Sequence, residues 1–218
     1  MRIFSFIILL GGFFALTLFF FSPASAIEGT LETRSESLVD KKPEGYPVAT
    51  LAGGCFWCIE SEFRVLEGVL HTRVGYIGGE TDSPSYDNIT TGRTGHAEAI
   101  EVTYDPKKIS YRDLLEFFLT KAHDPTQLNR QGVDVGTQYR SAIFYHSAEQ
   151  QEIAENLVQE IDQKKVWSKK IVTEISPATQ FWLGEDYHQQ YYEKYEQNRG
   201  EIHPRVFIKK KMKLLKGG

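Results

Sequence analysis

The two cysteines of the chain, Cys55 and Cys58, are separated by only two residues. A disulfide between residues this close closes almost no loop, so it would do little to the entropy of the unfolded chain. One turn apart on a helix, they would share a face with Cα atoms roughly 5 Å apart, a spacing that a disulfide tolerates. The pair therefore indicates a redox-active dithiol and not a structural crosslink.

The position of Cys55 predicts its reactivity. It follows Gly53-Gly54, where an apolar run gives way to helical spacing, and glycines allow a sharp turn there. A cysteine at a helix start lies at the positive end of the helix dipole, which favours the reactive thiolate. A C-x-x-C pair can also bind zinc, but the sequence has no second cysteine pair and no histidine pair at ligand spacing. We expect no metal and no other cofactor.

Two bulky aromatic residues, Phe56 and Trp57, stand between the cysteines. A thiol–disulfide exchanger also carries C-x-x-C at a helix start and is one interpretation of the pair. Phe56 and Trp57 favour a different one, because they would enclose the sulfur in an apolar pocket for a small group. A binding module without enzymatic activity is the third interpretation, and it requires both cysteines to be incidental.

The elements that must position these residues alternate between strand and helix patterns. Strands are predicted over 48–52, 69–77, 97–104, 141–145 and 170–175, and helices over 55–66, 110–122, 147–164 and 185–198. The stretch 123–138 shows little periodicity and is predicted to be irregular. This order predicts one α/β or α+β domain over residues 47–200.

One acidic residue lies on a predicted apolar strand face. In the alternating stretch 97–104, Glu98 points with Ile100 and Val102. A carboxyl group on that face is desolvated, which raises its pKa and keeps it protonated near neutral pH. Glu98 is therefore predicted to be a buried, protonated group.

The two ends of the chain differ from the domain. Residues 1–26 have a basic start, an apolar run and a small-residue exit, the pattern of a secretory signal peptide. The apolar run also approaches the length that spans a bilayer, so an N-terminal membrane anchor is the alternative. Either interpretation predicts an exported protein, periplasmic or secreted. Residues 27–46 are predicted to be a polar linker, and residues 201–218 a basic tail. The formal net charge of −4 gives no reason to expect a nucleic-acid partner.

The domain resembles the A-type peptide methionine sulfoxide reductases over residues 48–192. The matching motifs, in chain order, are Gly-Cys-Phe-Trp at 54–57, Gly-Tyr-Ile-Gly-Gly at 75–79, Ser-Tyr at 85–86, Thr-Gly-His-Ala-Glu-Ala at 94–99, Tyr-Asp-Pro at 104–106, His-Asp-Pro-Thr at 123–126, Asn-Arg-Gln-Gly at 129–132, Gly-Thr-Gln-Tyr-Arg-Ser at 136–141 and Glu-Asp-Tyr-His-Gln at 185–189. The resemblance implies a two-layer α+β sandwich with a mixed, ferredoxin-like sheet and the active-site cysteine at a helix N-terminus.

The resemblance also implies catalytic roles. Cys55 would attack the sulfur of methionine sulfoxide while Glu98 donates a proton to the departing oxygen. Tyr86 and Tyr139 match the hydroxyl groups that bind this oxygen, and Asp134 matches a supporting pocket residue. Phe56 and Trp57 would hold the S-methyl group of the substrate. We expect at most supporting roles for His96, Asp186 and His188.

The implied cycle passes through a sulfenic acid on Cys55 and a Cys55–Cys58 disulfide, which a thioredoxin-like dithiol reduces. Many relatives carry glycine at the position of Cys58 and place resolving cysteines in a C-terminal tail, whereas residues 205–218 contain none. Cys58 is thus the internal candidate for resolution, and direct reduction by an outside thiol is the alternative. The expected substrates are the S epimer of methionine sulfoxide in peptides and proteins, and the free amino acid, which implies protein repair after oxidative damage. We expect a monomer.

Overall fold

The computed structural model describes residues 42–203. Its strands are β1 Val48–Gly53, β2 Val69–Ile77, β3 Ala97–Tyr104, β4 Arg130–Gln131, β5 Asp134–Val135, β6 Ser141–Tyr145, β7 Glu174–Pro177 and β8 Trp182–Leu183. Its α-helices are α1 Phe56–Phe63, α2 Tyr86–Thr90, α3 Tyr111–Phe117, α4 Ala148–Gln163 and α5 Tyr191–Arg199. A π-helical turn, Phe118–Ala122, continues α3, and short 3₁₀ turns form at Thr137–Tyr139 and Asp186–His188.

The predicted export segment 1–26 lies outside the described residues, as do linker residues 27–41 and tail residues 204–218. Between residues 42 and 203, no helix combines the length and the apolarity needed to cross a bilayer.

The main sheet is mixed and has six strands in the order β7-β6-β1-β3-β2-β8. Neighbouring strands are antiparallel except for β6 and β7, which are parallel. β4 and β5 form a separate antiparallel hairpin within the stretch that was predicted to be irregular. The mixed sheet with packed helices confirms the predicted α+β class.

Side chains alternate across the two central strands, β1 and β3, and both faces are covered. Leu51, Ile100 and Val102 belong to the larger core, which packs against α1, α3 and α4. Ala52 and Ala99 belong to a smaller core on the opposite face, covered by the segment that contains Phe181. Because the side chains alternate with a period of two, Glu98 faces the larger core together with Ile100 and Val102, as predicted.

Two predicted elements near the C-terminus are displaced. The strand predicted over 170–175 begins at Glu174, because the N–H groups of Ile171 and Val172 bind the Asp162 side chain and the Pro125 carbonyl instead of a strand. The helix predicted over 185–198 is interrupted at Gln190, which has left-handed backbone angles, φ 51° and ψ 42°. Tertiary hydrogen bonds override the local strand propensity at the first position and the local helical propensity at the second.

The turn from β1 into α1 requires glycine. Gly54 has φ +97°, and a Cβ atom there would lie 2.7 Å from the Cβ and Cγ atoms of Gln131. At Gly53 a Cβ atom would lie 2.9 Å from the Phe118 ring and 3.0 Å from the His123 ring. The two glycines therefore let the chain pass directly from the central strand into the helix that begins after Cys55.

We predict that Gly54→Ala lowers the free energy of unfolding by about 1–3 kcal/mol more than Gly132→Ala, measured by urea denaturation. Gly132 is a matched control because it also has a positive φ, +63°, but a Cβ atom added there would meet no other atom within 4 Å. The difference isolates the clash with Gln131 and the stricter backbone requirement at Gly54. Equal losses in the two variants would contradict this explanation of the turn.

Candidate active site

Cys55 is the N-cap residue of α1, at the helix start predicted from the sequence. Its carbonyl oxygen accepts hydrogen bonds from the N–H groups of Cys58, at 3.0 Å, and Ile59, at 3.2 Å. Its side chain is partly exposed. The strand, the glycine turn and the first helical turn thus place a thiol at the surface end of the central strand.

Neither Cys55 nor Cys58 forms a disulfide in this structure. A side-chain hydrogen bond with Cys58, burial, and the charges of Cys58 and Glu98 raise the pKa of Cys55 well above its ordinary value. These neighbours oppose the effect of the helix start, which by itself favours the thiolate, and they favour the thiol form of Cys55. To act as the predicted nucleophile, Cys55 would have to lose its proton, and Cys58 and Glu98 are the groups beside it.

Glu98 is buried, with 2% of its surface exposed. Its Oε2 atom accepts a hydrogen bond of 3.1 Å from the N–H group of Phe56, the first residue of α1. This contact holds the carboxyl group over the helix start, next to Cys55. The predicted burial of Glu98 is confirmed, and the predicted protonation of its carboxyl group stays a prediction.

Tyr86, on α2, and Tyr139, at the end of the Thr137–Tyr139 turn, complete the polar side of the site. Burial raises the pKa of both hydroxyl groups, and the charges of Glu98, Cys55 and Asp134 raise it further. Both tyrosines therefore stay protonated and able to donate near neutral pH. Because Glu98, Cys55 and Asp134 act on both hydroxyl groups, these three residues and the two tyrosines lie in one region of the structure. All five were predicted from the sequence.

Phe56 and Trp57 have different environments. Phe56 is 1% exposed and packs against the rings of Tyr76, at 5.9 Å, and His188, at 4.9 Å. Trp57 is partly exposed and stacks on Tyr191 at 3.6 Å with an interplanar angle of 5°. Phe56 is thus a core residue that backs the site, whereas Trp57 forms an apolar wall that remains accessible.

A buried histidine fixes that wall. His188 is fully buried, and its Nδ1 atom accepts a hydrogen bond of 3.0 Å from Trp57 Nε1. Burial lowers the pKa of His188, so the ring stays neutral and its Nδ1 atom remains an acceptor. Its ring also packs 4.5 Å from that of Tyr86. His188 therefore links the apolar wall to Tyr86, and the supporting role expected for it stays a prediction.

Sequence reasoning missed Glu185, one residue before Asp186. Its carboxylate accepts hydrogen bonds from the N–H group of Tyr86, at 2.9 Å, and the hydroxyl group of Tyr76, at 2.7 Å. Burial opposes its charge, but these bonds prevail and lower its pKa. Asp186 is exposed, and His96 binds the Gly79 N–H group in a surface turn. The matching motif contained Glu185, but only the fold shows that it anchors α2.

A second missed residue, Glu60, joins α1 to the C-terminal segment. It is 1% exposed and accepts hydrogen bonds from the Thr72 hydroxyl, at 2.9 Å, and the Gln190 N–H group, at 2.8 Å. Burial raises the pKa of Glu60 to about 7. Its spacing of four residues from Phe56 places it on the buried face of α1, which was the available sequence signal.

We predict that the stability of wild type falls relative to Glu60→Gln as the pH rises from 5 to 8. Below the ordinary pKa of 4.5, Glu60 is neutral in both the folded and the unfolded state, so it carries no penalty. Above about 7 the folded protein must bury the charge, at a cost on the order of 3 kcal/mol. Urea denaturation of both proteins across this range measures the difference.

Glu67→Gln is the control for the pH series, because Glu67 is exposed just beyond α1. Its stability should follow the wild-type curve at every pH. Parallel curves for wild type and Glu60→Gln would contradict the raised pKa.

Within residues 42–203, no group of three or more histidine, cysteine, aspartate or glutamate side chains is arranged to hold a metal ion.

Comparison with known proteins agrees with this geometry. The family model described as peptide methionine sulfoxide reductase matches residues 47–216. Peptide methionine sulfoxide reductase MsrA of Saccharolobus solfataricus is 49% identical over 170 residues, which cover 77% of this chain and 93% of the relative. The protein of the same name from Geobacter metallireducens is 50% identical over 156 residues, which cover 72% of this chain and 95% of the relative.

Solved structures give the same result. Reduced Mxr1 from Saccharomyces cerevisiae is similar with a TM-score of 0.66 and 39% identity, covering 75% of this chain and 92% of that one. Methionine sulfoxide reductase A of Corynebacterium diphtheriae is similar with a TM-score of 0.62 and 39% identity, covering 69% and 76% of the two chains. The chain belongs to the peptide methionine sulfoxide reductase family.

Proposed function

We propose that this enzyme reduces methionine sulfoxide in peptides and proteins through a thiol cycle that begins at Cys55. The residue assignment rests on the hydrogen bond that the Phe56 N–H group donates to Glu98. This bond sets a buried carboxyl group beside the nucleophile. Tyr86 and Tyr139 add two protonated hydroxyl groups that lie within electrostatic reach of both Glu98 and Cys55. A thiol–disulfide exchanger has no need of this convergence of proton donors.

In the first step, the Cys55 sulfur attacks the sulfoxide sulfur. The sulfoxide oxygen is a poor leaving group until it is protonated, so Glu98 acts as general acid. The two tyrosine hydroxyls donate hydrogen bonds to this oxygen as the S–O bond polarises. In the net step, the Cys55 thiol and the sulfoxide become the Cys55 sulfenic acid and the thioether. Cys55 sulfur loses two electrons, and methionine sulfur gains them.

The apolar wall orients the substrate. Trp57, held by His188 and stacked on Tyr191, offers an accessible aromatic face for the S-methyl group. Phe56 backs this face from the core, and Asp134 supports the hydroxyl donors. A small apolar face of this kind suits a methyl group better than the broad surface of a protein disulfide. We assign the S epimer as the substrate by family membership.

In the remaining steps, Cys58 attacks the sulfenic acid, which gives the Cys55–Cys58 disulfide and water, and a thioredoxin-like dithiol reduces the disulfide. The side-chain hydrogen bond between the two cysteines supports this assignment because it brings the sulfurs together. Direct reduction of the sulfenic acid by an outside thiol is the alternative route.

We also propose that the enzyme works outside the cytoplasm, in the periplasm or as a secreted protein. The export pattern of residues 1–26 supports this location. Sequencing the N-terminus of the protein recovered from its native cells tests it: a start near residue 27 indicates cleavage, and a start at Met1 indicates a retained segment.

We predict that Cys55→Ser abolishes turnover of a methionine sulfoxide peptide with dithiothreitol as reductant. Glu98→Gln should lower kcat by about 10²–10⁴-fold, because the amide cannot donate the catalytic proton. Methionine release measures both effects.

Glu101→Gln is the matched control. Glu101 also lies on β3 and is 7% exposed, but it faces away from Glu98 and pairs with Arg73. This variant should keep its activity. The assignment would be contradicted if Cys55→Ser turned over at the wild-type rate. It would also be contradicted if Glu98→Gln and Glu101→Gln lost the same fraction of kcat. Disulfide exchange without sulfoxide turnover in wild type would favour the exchanger.

A separate prediction concerns Cys58. Cys58→Ser should keep turnover with dithiothreitol, a small reagent able to reduce the sulfenic acid directly, and lose it with a thioredoxin-like protein, which reduces disulfides. Comparing initial rates with the two reductants checks this split. Loss of activity with both reductants would mean that Cys58 is needed before resolution, and unchanged activity with both would remove it from the cycle.

A further inference from the structure

Cys58 has a hydroxyl partner from the far end of the domain. The Tyr192 oxygen lies 3.2 Å from Cys58 Sγ, although 134 residues separate them in the chain. Tyr192 is 3% exposed and lies in the first turn of α5. The residue therefore presents a buried hydroxyl group to the proposed resolving thiol.

The contact belongs to a continuous docking of the α5 start onto α1. Gln190 donates its N–H group to Glu60, and Tyr191 stacks on Trp57. The left-handed backbone of Gln190 turns the chain immediately before α5 begins. Since three successive residues, 190 to 192, each contact α1, the position of the Tyr192 hydroxyl is fixed by the fold.

The chemistry of this contact depends on which atom donates. A phenol with an ordinary pKa near 10 stays protonated at neutral pH, so it can donate to a thiolate. A hydrogen bond to the charged form of a group favours that form.

We propose that Tyr192 is a positioning residue for the resolving step: its hydroxyl group donates to Cys58 sulfur, stabilises the thiolate and aims it at Cys55. The proposal rests on the proposed function, in which Cys58 resolves the sulfenic acid. In that step the S–S bond forms and the S–O bond of Cys55 breaks. The hydroxyl leaves as water with the proton that Cys58 gave up, Cys58 is oxidised, and Cys55 sulfur is reduced.

Tyr192→Phe tests the hydroxyl group alone, because it keeps the ring that packs against His203 at 4.8 Å. Tyr195→Phe is the matched control. Tyr195 lies in the same helix and contacts His203 at 4.6 Å and Arg199. The Tyr195→Phe variant loses the same hydroxyl oxygen without affecting Cys58.

The experiment mixes each reduced protein with one equivalent of methionine sulfoxide peptide between pH 6 and 9, and follows methionine release and disulfide formation. We expect Tyr192→Phe to release methionine at the wild-type rate and to form the disulfide about tenfold more slowly at pH 7, as a rise of one unit in the thiolate pKa predicts. The defect should disappear at high pH, where solvent deprotonates Cys58. A purely structural defect would persist at every pH.

A second measurement uses a protein that retains Tyr192. In Cys55→Ser, the pH dependence of Cys58 alkylation by iodoacetamide should show a midpoint below the ordinary cysteine pKa of about 8.5, and adding Tyr192→Phe should raise it. An unchanged midpoint together with wild-type disulfide kinetics would overturn the proposal. Methionine release without any disulfide in wild type would instead remove Cys58 from the proposed cycle, and the role of Tyr192 with it.

Discussion

The hydrogen bond from the Phe56 N–H group to Glu98 joins the two halves of the site. It connects the first residue of α1 to the second residue of β3, so the proposed nucleophile and the proposed proton donor share one rigid frame. The glycine turn before Cys55 makes this approach possible, because a side chain at Gly54 would meet Gln131. A shift of an ångström between the two groups would break the geometry that proton transfer requires.

Around this contact, the shifted pKa values indicate which polar groups hold a proton. Cys55 rests with a raised pKa and therefore as a thiol, while the raised pKa values of Tyr86 and Tyr139 keep them as donors. Attack on the sulfoxide can then be coupled to movement of a proton toward the oxygen, which is where the reaction needs it.

Much of this arrangement could be predicted from the sequence. The alternation in β3 correctly placed Glu98 on a buried face, and the C-x-x-C pair after two glycines correctly placed Cys55 at a helix start. Local patterns could not reveal contacts between distant segments: Glu185 with Tyr86, Glu60 with Gln190, and the charge coupling that keeps Cys55 protonated. The interruption of the last helix at Gln190 has the same cause, since a bond to Glu60, 130 residues away, fixes that backbone.

The central claim is that Cys55 is the sulfur oxidised by the substrate. Its most direct test is a single turnover of the Cys58→Ser protein with a methionine sulfoxide peptide in the presence of a sulfenic-acid trap, followed by peptide mass analysis. We expect one trap adduct on Cys55 for each methionine released. Methionine released in stoichiometric amount with Cys55 left as an unmodified thiol would contradict the claim.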